Sequence, residues 1–281
     1  MNTGPNISSS PLTVIEPERG LLRTLIRELP EYRELLGFFI WRDLKVRYRQ
    51  TVLGMLWAVA RPLISMAVFT FLFHRVAQVS SGDVPYPVFA LCGVLVWTFF
   101  SEGVTTSSQS LLANANLVTK VYFPRILIPT AAVFRGVIDA SVGLLLCVAA
   151  LVFIGHVPGW EVLLALPAAI WTLLVTLGLG LWSTALGVRY RDIAHALPYL
   201  VQLLMWVSPI GYPSTAVPGS YRVLFWLNPL TGAVEWMRTA LLGTPCPDAP
   251  LMVLSLGVAF AILITGVLMF QRLERQFADV I

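Results

Sequence analysis

Long apolar runs separated by short polar ones dominate the chain from residue 53 onward. A helix needs about 20 mostly apolar residues to cross the roughly 30 Å hydrocarbon core of a bilayer. Runs of that length predict six transmembrane helices, at about 53–73, 86–104, 126–153, 162–187, 195–212 and 250–270. Residues 31–52, including "ELLGFFIWRDLKVRYRQTV", carry a different pattern. Leu36, Ile40 and Leu44 recur on one side of a helix, while Arg42, Lys45 and Arg49 fall at i, i+3 and i+7 on another. This predicts an amphipathic helix on the membrane surface with its cations at anionic headgroups. The same cations also read simply as a topology signal flanking the first span. Asp43 and Arg47, one turn apart, are placed to pair. Between the fifth and sixth spans, 213–249 holds "PLTGAVEWMRTALLG", an apolar stretch of about 14 residues interrupted by Glu235 and Arg238. It is too short to cross and predicts a re-entrant or interfacial helix.

Composition agrees with an all-α membrane protein. The 281 residues are 57% hydrophobic and 12% charged, with a mean hydropathy of +0.77, which a soluble globule has no means of burying. Six spans put both termini on one side, and the basic residues select which. Fourteen of the nineteen lie in the N-terminal arm, the loops 105–125 and 188–194 and the tail, against Arg75, Arg222 and Arg238 on the other side. Lysine and arginine near span ends stay cytoplasmic, so both termini are expected inside a cytoplasmic membrane. These loop charges account for the basic balance without nucleic acid. Residues 1–30 are expected to form a partly disordered cytoplasmic tail and 271–281 a second tail. The opening "MNTGPNISSSPLTVIEPERG" lacks the basic and apolar regions of a cleaved signal peptide.

Charges within the spans are costly and mark sites of interest. Pro62 follows Arg61 and leaves only 12 residues to Phe73, so the first helix must begin before Arg61. Arg135 and Asp139 lie one helical turn apart and are expected to neutralise each other, either as structure or at a substrate. Glu102 falls near the inner end of the second span. Asp139 is the one acidic group near a midplane, which disfavours a proton-coupled carrier. Cys92, Cys147 and Cys246 are scattered, so no disulfide or metal site is expected. No glycine-rich phosphate loop, metalloprotease motif or nucleophile elbow occurs, so catalysis and ATP binding are not expected in this chain.

"NANLVTKVYFPRILIP" at 114–129 is, from topology alone, an inner loop with Lys120 and Arg125 as anchors and Asn114 as a helix cap. Several stretches together resemble the ABC-2 family of export permeases, in the branch that exports O-antigen, capsule or teichoic acid. They are "RDLKVRYRQTVLGMLWAVARPL", "NANLVTKVYFPRILIP", "GVRYRDIAHALPYL", and "SPIGYP" followed by "LNPLTG". The resemblance covers about residues 36–275.

It implies a homodimeric channel moving a lipid-linked polysaccharide, with ATP and magnesium held by a separate ATPase chain. It also implies that 105–125 is a coupling helix and its exit, carrying Asn114, Asn116, Lys120, Tyr122, Phe123, Pro124 and Arg125. Arg191 and Asp192 would make a second contact with that ATPase, and the outer segment would be a pair of re-entrant helices. Candidate glycan-lining rings are Trp57, Phe69, Phe73, Trp97, Phe100, Trp206 and Tyr212, with the aromatic belt at membrane interfaces as the competing reading. An exporter of drugs or other lipids in the same superfamily is the nearest alternative. A membrane acyltransferase would need a catalytic cluster that these residues do not supply.

Overall fold

The computed structural model describes residues 32–48, 56–82, 84–121, 123–156, 159–274 and 277, and only the backbone of Tyr48 and Arg191. The expected N-terminal tail, Arg49, Tyr122 and most of the C-terminal tail lie outside the described residues. Helix α1 (Arg33–Tyr48) precedes α2 (Leu56–Phe69), which runs on as a π-helix over Thr70–Val76. Then come α3 (Tyr86–Ala113), the short α4 (Ala115–Lys120) and α5 (Leu127–Phe153). A 3-10 turn at Trp160–Leu164 leads into α6 (Ala165–Arg189), followed by α7 (Arg191–Val207). The chain ends with α8 (Arg222–Trp226), α9 (Pro229–Leu242) and α10 (Ala249–Glu274).

Five helical stretches are long and apolar enough to cross a bilayer: Leu56–Val76, Tyr86–Ala113, Leu127–Phe153, Trp160–Arg189 and Ala249–Glu274. The first begins ahead of Arg61 and carries Pro62 inside it, as the short distance to Phe73 requires. The fifth expected span, 195–212, is instead the 17-residue α7, about 25 Å long at 1.5 Å per residue. It stops because Ser208 precedes Pro209 and is extended (φ −92°, ψ 146°), the conformation a following proline enforces. The second span runs past 104 to Ala113 despite its hydroxyl-rich sequence. Thr105, Ser108 and Ser110 each donate to a carbonyl of their own helix at 2.7 Å, so their polarity is satisfied without leaving it.

Helix α6 is the centre of the bundle, packed along α3 on one side and α10 on the other, with α5 along α3. The α6–α10 seam is a backbone approach. A Cβ at Gly178 would lie 2.8 Å from the backbone N and Cα of Leu263, so no larger residue fits. Against α3, Ser107 and Thr184 join through 3.2 Å between hydroxyls and a 2.7 Å bond from Thr184 Oγ1 to the Ser107 carbonyl. Without a solvent-driven hydrophobic effect between spans, such small residues and hydroxyl bonds carry helix association. Cys92 and Cys147, read as scattered, are both fully buried free cysteines whose thiols share a 3.4 Å hydrogen bond. They meet because one lies on α3 and the other on α5, which pack along each other.

The expected re-entrant segment is α9, buried against α3, α6 and α10 on most of its surface. Asn228 Oδ1 caps its start by accepting from Leu230 N at 3.0 Å, and Gly243 ends it in the left-handed region (φ 65°). In contrast, α2 is largely uncovered, with Leu63, Ile64, Val68 and Phe71 exposed along it.

Candidate functional site

At the end of the bundle where α1 and α4 lie, a buried cluster joins Phe39, Val118, Phe123, Leu127, Val188 and Phe270. Phe39 is the anchor of α1, its ring 5.6 Å from that of Phe123. Leu36 and Ile40 are half-buried around it, whereas Phe38, Trp41 and Val46 are exposed beside Lys45. Apolar and charged residues therefore alternate around α1 rather than dividing into two clean faces. Arg42 pairs with its neighbour Asp43 at 2.8 Å and lies over the Phe39 ring.

The expected Asp43–Arg47 pair does not form, because Arg47 turns toward the spans. Its guanidinium is 2.5 Å from Glu102 of α3 and 2.9 Å from Asp139 of α5. Arg61 of α2 approaches the other Glu102 oxygen at 3.6 Å, so one carboxylate is shared by two helices' arginines. The expected Arg135–Asp139 pair is also replaced. Asp139 takes Arg47, and the Arg135 Nε is buried with no hydrogen-bond partner among the described residues. Arg47, Trp57, Arg61, Phe99, Glu102 and Asp139 surround a cavity of about 30 Å³, room for about one water. Neither Arg47 nor Glu102 was a candidate from the sequence beyond a local pair and an ambiguous charge. The available signal was Glu102 and Arg61, charges of opposite sign that no expected pair had used.

Beside this cluster, α4 ends at Lys120 because Val121 is already extended (φ −127°, ψ 134°). Asn116, Thr119 and Lys120 are exposed on α4, while Val118 is buried. Asn114 does not cap α4. Its Nδ2 donates back to the Ser110 carbonyl at 2.8 Å and closes the end of α3. Phe123 and Pro124 lead into α5, and Arg125 is tied to the end of α10. Its backbone N donates to Glu274 Oε1 at 3.0 Å and its guanidinium to the Glu274 carbonyl at 2.7 Å. Arg191 opens α7 with its side chain outside the described residues, and Asp192 beside it is exposed.

The candidate rings divide into separate places. Phe69 stacks on Phe73 at 5.5 Å, and Phe73 lies 6.4 Å from both Trp206 and Tyr212, forming one cluster at the end of α2 and α7. Tyr212 continues it to Phe225 at 6.2 Å. Trp57 stands at the opposite end of α2, in the charged cavity. Phe100 is fully buried in the core against Trp97 and lines no surface of this chain.

The pattern that defines the ABC-2 type transporter family matches residues 34–242. The chain is 32% identical over 258 residues to the O-antigen export system permease protein RfbA of Myxococcus xanthus, spanning 91% of this chain and 98% of that one. It is 27% identical over 249 residues to RfbA of Klebsiella pneumoniae, covering 88% and 95%. Against the polysialic acid transport protein KpsM of Escherichia coli it is 28% identical over 211 residues, covering 72% and 78%. On this match, and on a bundle of helices long and apolar enough to span a bilayer, the chain belongs to the ABC-2 type transporter family of membrane permeases.

Proposed function

We propose that this chain is the permease subunit of an ATP-driven exporter that moves a lipid-linked polysaccharide across the cytoplasmic membrane. The observation that carries the reading is near end-to-end similarity to O-antigen export permeases. ATP and magnesium belong to a separate ATPase chain in this proposal. The exposed residues of α4, Asn116 and Lys120, offer that partner a polar ridge at the same end as α1. Lys45 beside exposed Trp41 suits a headgroup boundary. The uncovered apolar faces of α2 and of α7, where Leu203, Trp206 and Val207 are exposed, suit a second copy of the chain closing a channel. Helix α7, with the loop that follows it, serves as the sixth crossing, and α9 dips back from the outer side.

Removing the gene is expected to trap lipid-linked glycan inside the cell, and co-expression with its ATPase to restore it. Loss of small-molecule efflux with normal glycan would point instead to the drug-exporting branch.

The proposed orientation makes its own prediction. Cys246 is exposed between α9 and α10, whereas Cys92 and Cys147 are fully buried. A membrane-impermeant maleimide is expected to label Cys246 in right-side-out vesicles and neither of the others. Labelling only in inside-out vesicles would reverse the topology.

A further inference from the structure

The loop joining α7 to α8 is held by buried polar side chains from two other helices. Arg238 of α9 is completely buried, and its guanidinium donates to the carbonyls of Ile210 at 2.8 Å and Tyr212 at 3.3 Å. Tyr86 of α3 donates its hydroxyl to the carbonyl between them, that of Gly211, at 2.5 Å. Glu235 Oε1 accepts from Ser214 N at 3.0 Å and from Arg238 at 3.2 Å. The guanidinium also lies 3.6 Å above the Phe89 ring. A Cβ at Gly93 would come within 2.6 Å of the Ile210 carbonyl, so that position on α3 is the seat of the loop. On the loop's other side, a Cβ at Gly211 would strike the Phe69 and Phe73 rings at 2.8 Å.

We infer that Arg238 and Glu235 are positioning residues: they press the 210–214 backbone against Phe69 and Phe73 and so set the aromatic cluster at the outer end of α2 and α7. An arginine suits this task because its planar fork reaches two carbonyls and a carboxylate at once, which a lysine ammonium does not. A charge buried away from water needs partners for its donors, and Arg238 finds two loop carbonyls and the Glu235 carboxylate through Nη1 and Nη2, while its Nε has no hydrogen-bond partner among the described residues. The consequence for glycan passage rests on the export reading above. The effect on the loop does not.

The test uses the full permease–ATPase complex and four variants: Arg238→Met, Gly93→Ala, Glu235→Gln, and Glu235→Gln with Arg238→Met together. Hydrogen exchange is followed in the 208–216 peptide, and export in cells. Arg238→Met and Gly93→Ala, which differ in chemistry, are both expected to speed exchange in that peptide at least tenfold while α6 and α10 stay protected. Export is expected to fall tenfold or more with ATP turnover retained. Glu235→Gln keeps an acceptor for Ser214 N but takes the paired counter-charge from buried Arg238, and is expected to speed exchange and lower export, each by less than Arg238→Met does.

The double variant removes both charges, so recovery there would mean that charge neutrality alone matters and would overturn the positioning role. Unchanged exchange in both Arg238→Met and Gly93→Ala, or rapid exchange in them with normal export, would overturn it as well. If Arg238→Met fails to accumulate, Arg238→Lys, which keeps the charge, decides the point by the same exchange measurement. Failure of the export reading shows separately, as absence of trapped glycan when the unaltered gene is removed.

Discussion

Replacing Arg47 with methionine is expected to uncouple α1 from the spans and cut export at least tenfold. Arg47 carries the ion pairs that tie α1 to both α3 and α5, at 2.5 Å to Glu102 and 2.9 Å to Asp139. The three side chains are 17–27% exposed, between the surface and the interior. Breaking a fully buried pair costs about 3–5 kcal/mol, whereas an exposed pair contributes about 0–1. A loss of about 2 kcal/mol follows for this one. Arg61 is at hand to take part of the load from Glu102, which sets the lower side of that figure.

Thermal unfolding of the detergent-purified complex measures the stability half, and a cycle with Glu102→Gln isolates the contact. Coupling of about 1 kcal/mol between Arg47→Met and Glu102→Gln is expected for residues in direct contact. Strict additivity would show that the two do not act together. Arg47→Lys, a point charge that reaches one carboxylate rather than two, is expected to fall between the parent and Arg47→Met.

These partners explain what could and could not be read ahead of the structure. Span positions follow from apolar run length, which is local, and four of the six lie close to expectation. The exceptions have local physical causes. Ser208 before Pro209 shortens the fifth, and hydroxyls bonded to their own helix lengthen the second past its polar-looking end. Charge pairing is not local. Arg47, Glu102 and Asp139 stand on three helices, so the spacing that suggests Asp43–Arg47 or Arg135–Asp139 ranks only neighbours in the chain. The two inner cysteines fail for the same reason. Family likeness implied that the 114–129 stretch is a contact region, yet Arg125 faces the end of α10, leaving Asn116, Thr119 and Lys120 as the exposed polar residues among those described. The aromatic cluster at the end of α2 and α7 was half legible: Phe69, Phe73, Trp206 and Tyr212 stood out as rings, while Glu235 and Arg238 read only as interruptions of an apolar helix.

The largest loss of folded protein is expected from Gly178→Leu. A side chain there meets the backbone of α10 at Leu263, and a backbone atom, unlike the tip of a flexible side chain, has no rotamer by which to move aside. The two helices must separate along a seam that holds α6 at the centre of the bundle. Overpacking costs about 1–3 kcal/mol even where a core can adjust, and here the lost close contacts between spans add to it. Gly178→Leu is therefore expected to abolish a detergent-stable complex, and Gly178→Ala to lower its unfolding midpoint.

Gly257 supplies the opposing control on α10 itself. A Cβ there meets nothing within 4 Å, and alanine is about 1 kcal/mol more favourable than glycine inside a helix. Gly257→Ala is thus expected to leave the midpoint unchanged or raise it while Gly178→Ala lowers it. A rise of both midpoints would mean that helix propensity, and not the close approach of α6 to α10, governs this seam.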